Sequence, residues 1–353
     1  MSLASQLPVS KAAVDLSRQI LSSFRSPNPD LKTLTKSLDD FMNDSGNHIN
    51  YVLESDIIKN FVISIDHLDF ELNDLSTILY WSTISRFQIP EIKLKNFELK
   101  FLLKYKTIFK DNLIKLLYSY ATLYRHNPFI IKLIEVKDKS DWTCSDFITT
   151  AYSLCVLRQY NPKLWIDFSP DLSALTVGLS QEVRHVRYAI NTEAPELLDL
   201  KLRSGKILGD ALNDAMIPSS SKPESDVSLV PAHLNDKIRL GRMHTEVKYL
   251  LAKMMKFNEN YNIEDAYIVD FLKKGTKTAI DIDGPLHYFF PDKGEKTQKY
   301  KLIGQILMKY RLLNQNGWEV VTLPHFEYHR YRDGAEKSMY IQKKLEEANV
   351  SLD

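Results

Sequence analysis

Apolar positions recur every three to four residues through most of residues 1 to 210, and strand-like alternation is almost absent there. Three segments of this half resemble one another: LSTILYWSTISRFQIP (75–90), LIKLLYSYATLYRHNP (113–128) and FITTAYSLCVLRQYNP (147–162). Aligned on Pro90, Pro128 and Pro162, they share an apolar residue fifteen positions earlier (Leu75, Leu113, Phe147) and a tyrosine ten positions earlier (Tyr80, Tyr118, Tyr152). The prolines stand 38 and 34 residues apart. Proline stops a helical run because it has no N–H to continue the ladder. One strong helix, a stop and a second apolar stretch at this period predict a solenoid of helix pairs; a non-repetitive helical bundle is the alternative. In the solenoid the three tyrosines pack between repeats.

From about 216 to 232 serine and proline cluster with little apolar content, which marks a linker. Beyond it the period changes. Residues 242–257 form an amphipathic helix; 265–272 and 276–283 alternate as strands around a Lys-Lys-Gly turn. Residues 300–316 read as a helix with Gly317 as its C-cap, 318–324 as a third strand and 335–349 as a closing helix. The predicted architecture is therefore multidomain, α followed by α/β: a helical repeat region over 1–215, a linker over 216–236 and a small α/β domain over 237–353.

Composition narrows this picture only a little. Across 353 residues, 46 Lys and Arg nearly balance 45 Asp and Glu, so net charge names no partner. Eleven glycines are few for a mostly β or doubly wound chain. Two cysteines, Cys144 and Cys155, make neither a disulfide framework nor a four-ligand zinc site. No apolar run reaches the roughly 20 residues that cross a bilayer, so a soluble protein is expected. The N-terminal stretch MSLASQLPVSKAAVDLSRQILSSFRS sets Lys11, Arg18 and Arg25 against Asp15 among serines and an apolar stripe. It suits an organellar transit peptide and equally an amphipathic first helix.

The charges are uneven along the chain. Residues 237–353 hold 20 Lys and Arg against 16 Asp and Glu, and residues 1–236 hold 26 against 29. Between 293 and 311 stand Lys293, Lys296, Lys299, Lys301, Lys309 and Arg311 against Glu295 alone, interleaved with Tyr300 and Tyr310 and preceded by Tyr288, Phe289 and Phe290. Cations that meet phosphates, mixed with rings that stack on bases, suit single-stranded nucleic acid; a solvated helix face is the plainer reading. In IDIDGPLHYF (280–289), alternation puts Asp281 and Asp283 on one face of the strand and Ile280 and Ile282 on the other. Asp270 on the preceding strand and Glu246 on the helix before it can approach them. Four converging carboxylates would hold a divalent cation such as Mg²⁺ and activate water against a phosphodiester. The plainer reading is a turn after Asp283, with His287 a hydrogen-bonded histidine. His325 and His329, four apart near Pro324, form a metal pair only on a helix; a strand end or loop with both as surface residues is expected. No Walker loop, dinucleotide fingerprint or Ser/His/Asp order appears.

AIDIDGPLHYF, followed by Gly304, Lys309, RLL (311–313), NGWEVVTLP (316–324) and FEY (326–328), resembles the RAP domain, an RNA-binding module, over roughly 240–349. The tyrosine-bearing repeats resemble the octotricopeptide or heptatricopeptide repeats that often precede it. The resemblance implies a restriction-endonuclease-like fold in which Glu246, Asp270 and Asp281 match the acids of a nuclease. Asp283 stands where such a nuclease carries its lysine, and Lys309 on the next helix could supply a migrated ammonium.

The reading that follows is a non-enzymatic, organellar RNA-binding protein of the mitochondrial matrix without a resident cofactor. It is expected to bind ribosomal RNA as a mitoribosome component or assembly factor, with ribonucleoprotein partners held by the repeats. His287, Tyr288, Lys296, Lys299, Lys301, Lys309 and Arg311 are the expected RNA contacts. The first alternative is a Mg²⁺-dependent RNA endonuclease using Glu246, Asp270, Asp281, Asp283 and Lys309, with the metal on Asp270, Asp281 and Asp283. The second is a protein-binding scaffold that touches no RNA.

Overall fold

A computed structural model describes residues 18–24, 29–45, 51–64, 68–105, 108–168, 177–216, 236–290 and 300–350. It is a helical region followed by a small α/β sheet region, as the apolar periods predict. The predicted linker at 216–236 and the first seventeen residues lie almost wholly outside the described residues. The described residues fall into two compact units. One comprises the chain up to Lys137 together with Phe289, Phe290, Tyr300 and Lys301; the other comprises Asp138–Tyr288 and Leu302 onward.

In the first unit, α1 (Leu31–Ser45), α2 (Tyr51–Ser64), α3 (Leu72–Ile84), α4 (Glu91–Lys104), α5 (Lys110–Thr122) and α6 (Pro128–Val136) follow one another. Helices α3 and α5 are buried on almost every side and pack together, with Tyr80 and Tyr118 at 5.9 Å between ring centroids. A helix with apolar residues all round belongs to the inside of a stack. The two tyrosines thus join successive repeats. Asp39 of α1 accepts from Trp81 Nε1 at 2.6 Å and from Lys115 Nζ at 3.1 Å, tying α1, α3 and α5.

The second unit begins with α7 (Cys144–Val156), α8 (Pro162–Trp165), α9 (Val177–Glu193) and α10 (Leu208–Met216). The turns after α3, α5 and α7 are the same. Arg86, Tyr124 and Arg158, each four residues before the aligned proline, sit in the left-handed region at φ 57°, 52° and 59°. The next residue closes each helix with an N–H bond five residues back: Phe87 to Ser82 O, Arg125 to Tyr120 O and Gln159 to Leu154 O, at 2.8–2.9 Å. This is the Schellman cap, which satisfies carbonyls that a helix end leaves without partners. Three copies of one backbone turn stand in register with the three prolines, which is consistent with helical repeats.

The remainder of the second unit is α11 (Asp236–Leu251), β1 (Phe257–Ile263), β2 (Tyr267–Lys273), β3 (Thr278–Asp283), α12 (Gly304–Gln315), β4 (Glu319–Pro324), α13 (His325–Tyr328) and α14 (Gly334–Glu347). The sheet order is β1-β2-β3-β4, antiparallel except for the parallel pair β3 and β4, which α12 joins. Ile280 and Ile282 of β3 pack with Val321 and Leu323 of β4, Met243, Val247 and Leu251 of α11, and Ile341 and Leu345 of α14. Every residue of β3 is buried, which is the mark of a central strand covered on both faces. Gly317 follows α12 at φ 77°, and Trp318 N–H bonds Leu313 O at 3.0 Å, the same capping geometry with the residue that suits it best.

Two sequence expectations are corrected here. The helix expected over 242–257 ends at Leu251, and 257–263 pairs as β1; its FNENYNI pattern hides this, because five of its seven residues are exposed on an edge strand. Residues 325–328 form a helical turn rather than a strand end or loop, starting directly after Pro324. Its histidines differ: His329 is exposed, while His325 is half-buried with Nδ1 3.2 Å from the Asp283 carbonyl.

Candidate functional site

The carboxylates gather where β2 and β3 part. The two strands pair only at Phe271↔Ile280 and Leu272↔Ala279. At the next step the Asp270 side chain takes the place of a strand carbonyl, its Oδ2 accepting the Ile282 N–H at 2.7 Å. Helix α12 lies over this opening and supplies two donors. Lys309 Nζ reaches Asp281 Oδ2 at 2.6 Å and the Ile268 carbonyl at 2.9 Å. Tyr310 Oη lies 3.0 Å from Asp281 Oδ2 and also bonds Asp283 Oδ1. Asp283 is further held by His287 Nδ1 at 2.8 Å and by Tyr288 Oη, which donates at 3.0 Å.

The electrostatics follow from burial and from Lys309. Asp281 is 3% exposed and Asp283 fully buried. Burial pushes the Asp281 carboxyl up, but the Lys309 ammonium and its hydrogen bond outweigh this, and the net result is below the ordinary value. Asp270 lacks such a bond from Lys309. Burial, and then the Asp281 charge, hold its carboxyl well above the usual range. Tyr310, buried beside two acids, is pushed well above an ordinary phenol, so it stays a donor. Its one proton serves two carboxylates, which makes it the joint of the network.

The four carboxylates expected to converge do not. Glu246 is taken up on α11 by Lys337 Nζ at 2.6 Å, Tyr328 Oη at 3.2 Å and Arg242 Nε at 3.3 Å. Asp270 instead has His244, whose Nε2 is 3.6 Å from Oδ1. Nor do Asp281 and Asp283 open into a cleft, since the face opposite Ile280 and Ile282 is roofed by α12. Among the described residues no three His, Cys, Asp or Glu side chains are grouped so as to hold a metal ion. The donor set as arranged does not fit Mg²⁺: Asp281 is buried and already matched by an ammonium, and Asp283 is buried and held by Tyr310, His287 and Tyr288.

Most expected RNA contacts face inward. Tyr288 is buried against Asp283, and Lys309 is bound to Asp281. Arg311 places Nε and Nη2 on Glu193 at 3.0 Å each and reaches the carbonyls of Val156 and Cys155 at 3.2 and 2.9 Å. His287 is half-buried on Asp283. Lys301 is exposed overall, although its Nζ donates to the Leu123 carbonyl at 3.0 Å. Lys296 and Lys299 lie outside the described residues. A run of cations in sequence says nothing about which side chains turn inward; Lys309 and Arg311 do because buried acids, Asp281 and Glu193, await them. Tyr310, the joint of the network, was legible only as one aromatic among several in a basic stretch.

Residues 280–344 match the family model of the RAP domain. The match begins on β3 and ends in α14, so it takes in the sheet's parallel pair, α12 and the Asp281–Asp283–Tyr310 network, and under a fifth of the chain. It suggests RNA binding in general. No curated protein matches the sequence.

Proposed function

We propose that this is a non-catalytic RNA-binding protein of the mitochondrial matrix that binds ribosomal RNA as a mitoribosome component or assembly factor. The RAP match supports RNA as the ligand. The observation that supports the non-catalytic part is the 2.6 Å bond from Lys309 to a 3% exposed Asp281: a carboxylate already paired and shielded from water has to give up its ammonium before it can take a hydrated cation. The helical repeats supply extended faces for ribonucleoprotein partners. The organelle and the ribosomal assignment rest on the company RAP domains keep, which is analogy by family.

The purified chain is incubated with labelled RNA and Mg²⁺. Binding without cleavage is expected; cleavage that Asp281→Ala abolishes would make it an endonuclease, and absence of RNA binding would leave a protein scaffold. Crosslinking and sequencing of RNA from cells, with a tagged chain imaged against a mitochondrial marker, tests the ribosomal and matrix assignments. Recovery of messenger RNA alone, or a cytosolic signal, would sink them.

A further inference from the structure

Lys309, Arg311 and Tyr288 turn inward, and among the described residues one end of the sheet carries the chemistry an RNA-contacting surface needs. Helix α11 runs out into Lys253 and Lys256, and the β2–β3 hairpin turn carries Lys274 and Lys277. The Lys274 N–H bonds the Lys256 carbonyl at 3.0 Å, so these two segments are neighbours. The hairpin in turn meets the start of β4, where the Glu319 N–H bonds the Lys277 carbonyl at 2.9 Å and Lys277 Nζ bonds the Asn316 carbonyl at 3.1 Å. All four lysines are exposed.

Two rings stand among them. Tyr249, 64% exposed on α11, has Lys253 Nζ 4.2 Å from its centroid. Half-buried Trp318 has Lys277 Nζ at 5.7 Å and Tyr261 at 6.3 Å between centroids. The acids nearby are few. Glu259 is paired with Lys248, and Glu319 contributes one exposed carboxylate. An ammonium beside a ring is a pairing that can bind a phosphate while a base stacks on the ring.

We infer that this hairpin end is a binding surface for single-stranded RNA: Lys253, Lys256, Lys274 and Lys277 take successive phosphates, and Tyr249 and Trp318 offer ring faces to bases. The inference rests on the RNA-binding reading above and names the surface that performs it. A duplex buries its base faces, so it can use the lysines but not the rings.

The test uses the full chain and a fluorescently labelled single-stranded RNA of randomised sequence, with anisotropy read across a salt series. Lys274→Glu/Lys277→Glu is expected to weaken binding by at least tenfold and to lower the salt slope by about 1.4, at about 0.7 per phosphate contact for single strands. Tyr249→Ala, at an exposed position that leaves the fold intact, is expected to weaken it about tenfold without changing the slope. A charge-matched reversal on repeat helices, Lys132→Glu/Lys163→Glu, is expected to change little. If the wild-type chain binds and all the patch variants bind equally well, this surface is wrong while RNA binding stands. If they weaken binding no more than the repeat-helix reversal, the effect is net charge and the surface is again wrong. If the wild-type chain binds no RNA, the underlying reading falls with it. Equal affinity for a duplex would overturn the stacking role of Tyr249.

Discussion

Arg311 of α12 and Glu193 of α9 form a two-bond clasp, Nε to Oε1 and Nη2 to Oε2, each 3.0 Å long. Glu193 is 2% exposed at its side chain and also accepts from Tyr160 Oη at 2.6 Å. The guanidinium that the sequence offers to RNA is thus what holds a repeat helix to the sheet region.

Removing Arg311 leaves the buried Glu193 carboxylate with the Tyr160 hydroxyl and the 54% exposed Arg158, whose Nε lies 3.3 Å from Oε1. Arg311→Met is expected to cost about 3 kcal/mol, the low end for a broken buried pair because Arg158 remains, and Arg311→Met/Glu193→Gln less, since the second change removes the under-matched carboxylate. Denaturant titration of the three chains checks the order; a double variant worse than the single would contradict it.

Tyr310→Phe takes one hydroxyl from between Asp281 and Asp283 and is expected to cost about 1–3 kcal/mol. Lys309→Met leaves the buried Asp281 charge without its ammonium and is expected to cost more, about 3–5 kcal/mol. Both should fold with α12 less protected, read by hydrogen exchange of its amides. If the lysine variant lost nothing, Lys309 would not be the group that neutralises Asp281.

Asp270 and Asp281 predict opposite pH effects. Asp281 has a lowered folded pKa, so its contribution is present above about 3.9, the unfolded value, and is lost as pH falls through the folded value. Asp270 has a raised folded pKa, so its contribution is full below the unfolded value and is lost as pH rises through the folded one. Asp270→Asn keeps an oxygen for the Ile282 N–H and cannot ionise. Its melting temperature should match wild type near pH 4 and exceed it at pH 8. Equal curves at both would mean that Asp270 ionises freely.

His185 of α9 stacks on Tyr267 at 4.5 Å, and burial pushes its pKa down to about 4. A histidine lowered on folding stabilises the protein above its unfolded value near 6.5, and that stability, about 3 kcal/mol, is lost as pH falls toward 4. His185→Phe keeps the stacking and should flatten the stability profile between pH 6.5 and 4.

Tyr124, at φ 52°, holds a left-handed turn with a side chain that disfavours it. Tyr124→Gly should raise stability by up to about 1 kcal/mol, provided the ring contributes little packing at its 39% exposure. A loss would show that the ring packs against its neighbours.

The repeats were legible because period and proline are local signals: Leu75, Leu113 and Phe147 all turn inward, and each proline follows a capped helix by the same interval. Strands β2 and β3 were legible from alternation. Strand β1 was not, because an edge strand with mostly exposed residues has no alternation to read. The site was half legible. Asp281 and Asp283 share a face as parity dictates, but whether that face meets water or a helix depends on where α12 lands, a tertiary fact. The pairings Lys309–Asp281 and Arg311–Glu193 span 28 and 118 residues, and no spacing rule reaches that far.

Phe290 N–H bonds the Arg86 carbonyl at 2.7 Å, and Lys301 Nζ bonds the Leu123 carbonyl at 3.0 Å. Both acceptors sit in the turns that end repeat helices, so the polypeptide is moored on either side of residues 291–299. A protease that nicked the chain between those moorings would yield two fragments on a denaturing gel, yet each new end would remain fastened, and the pieces would travel together under native conditions.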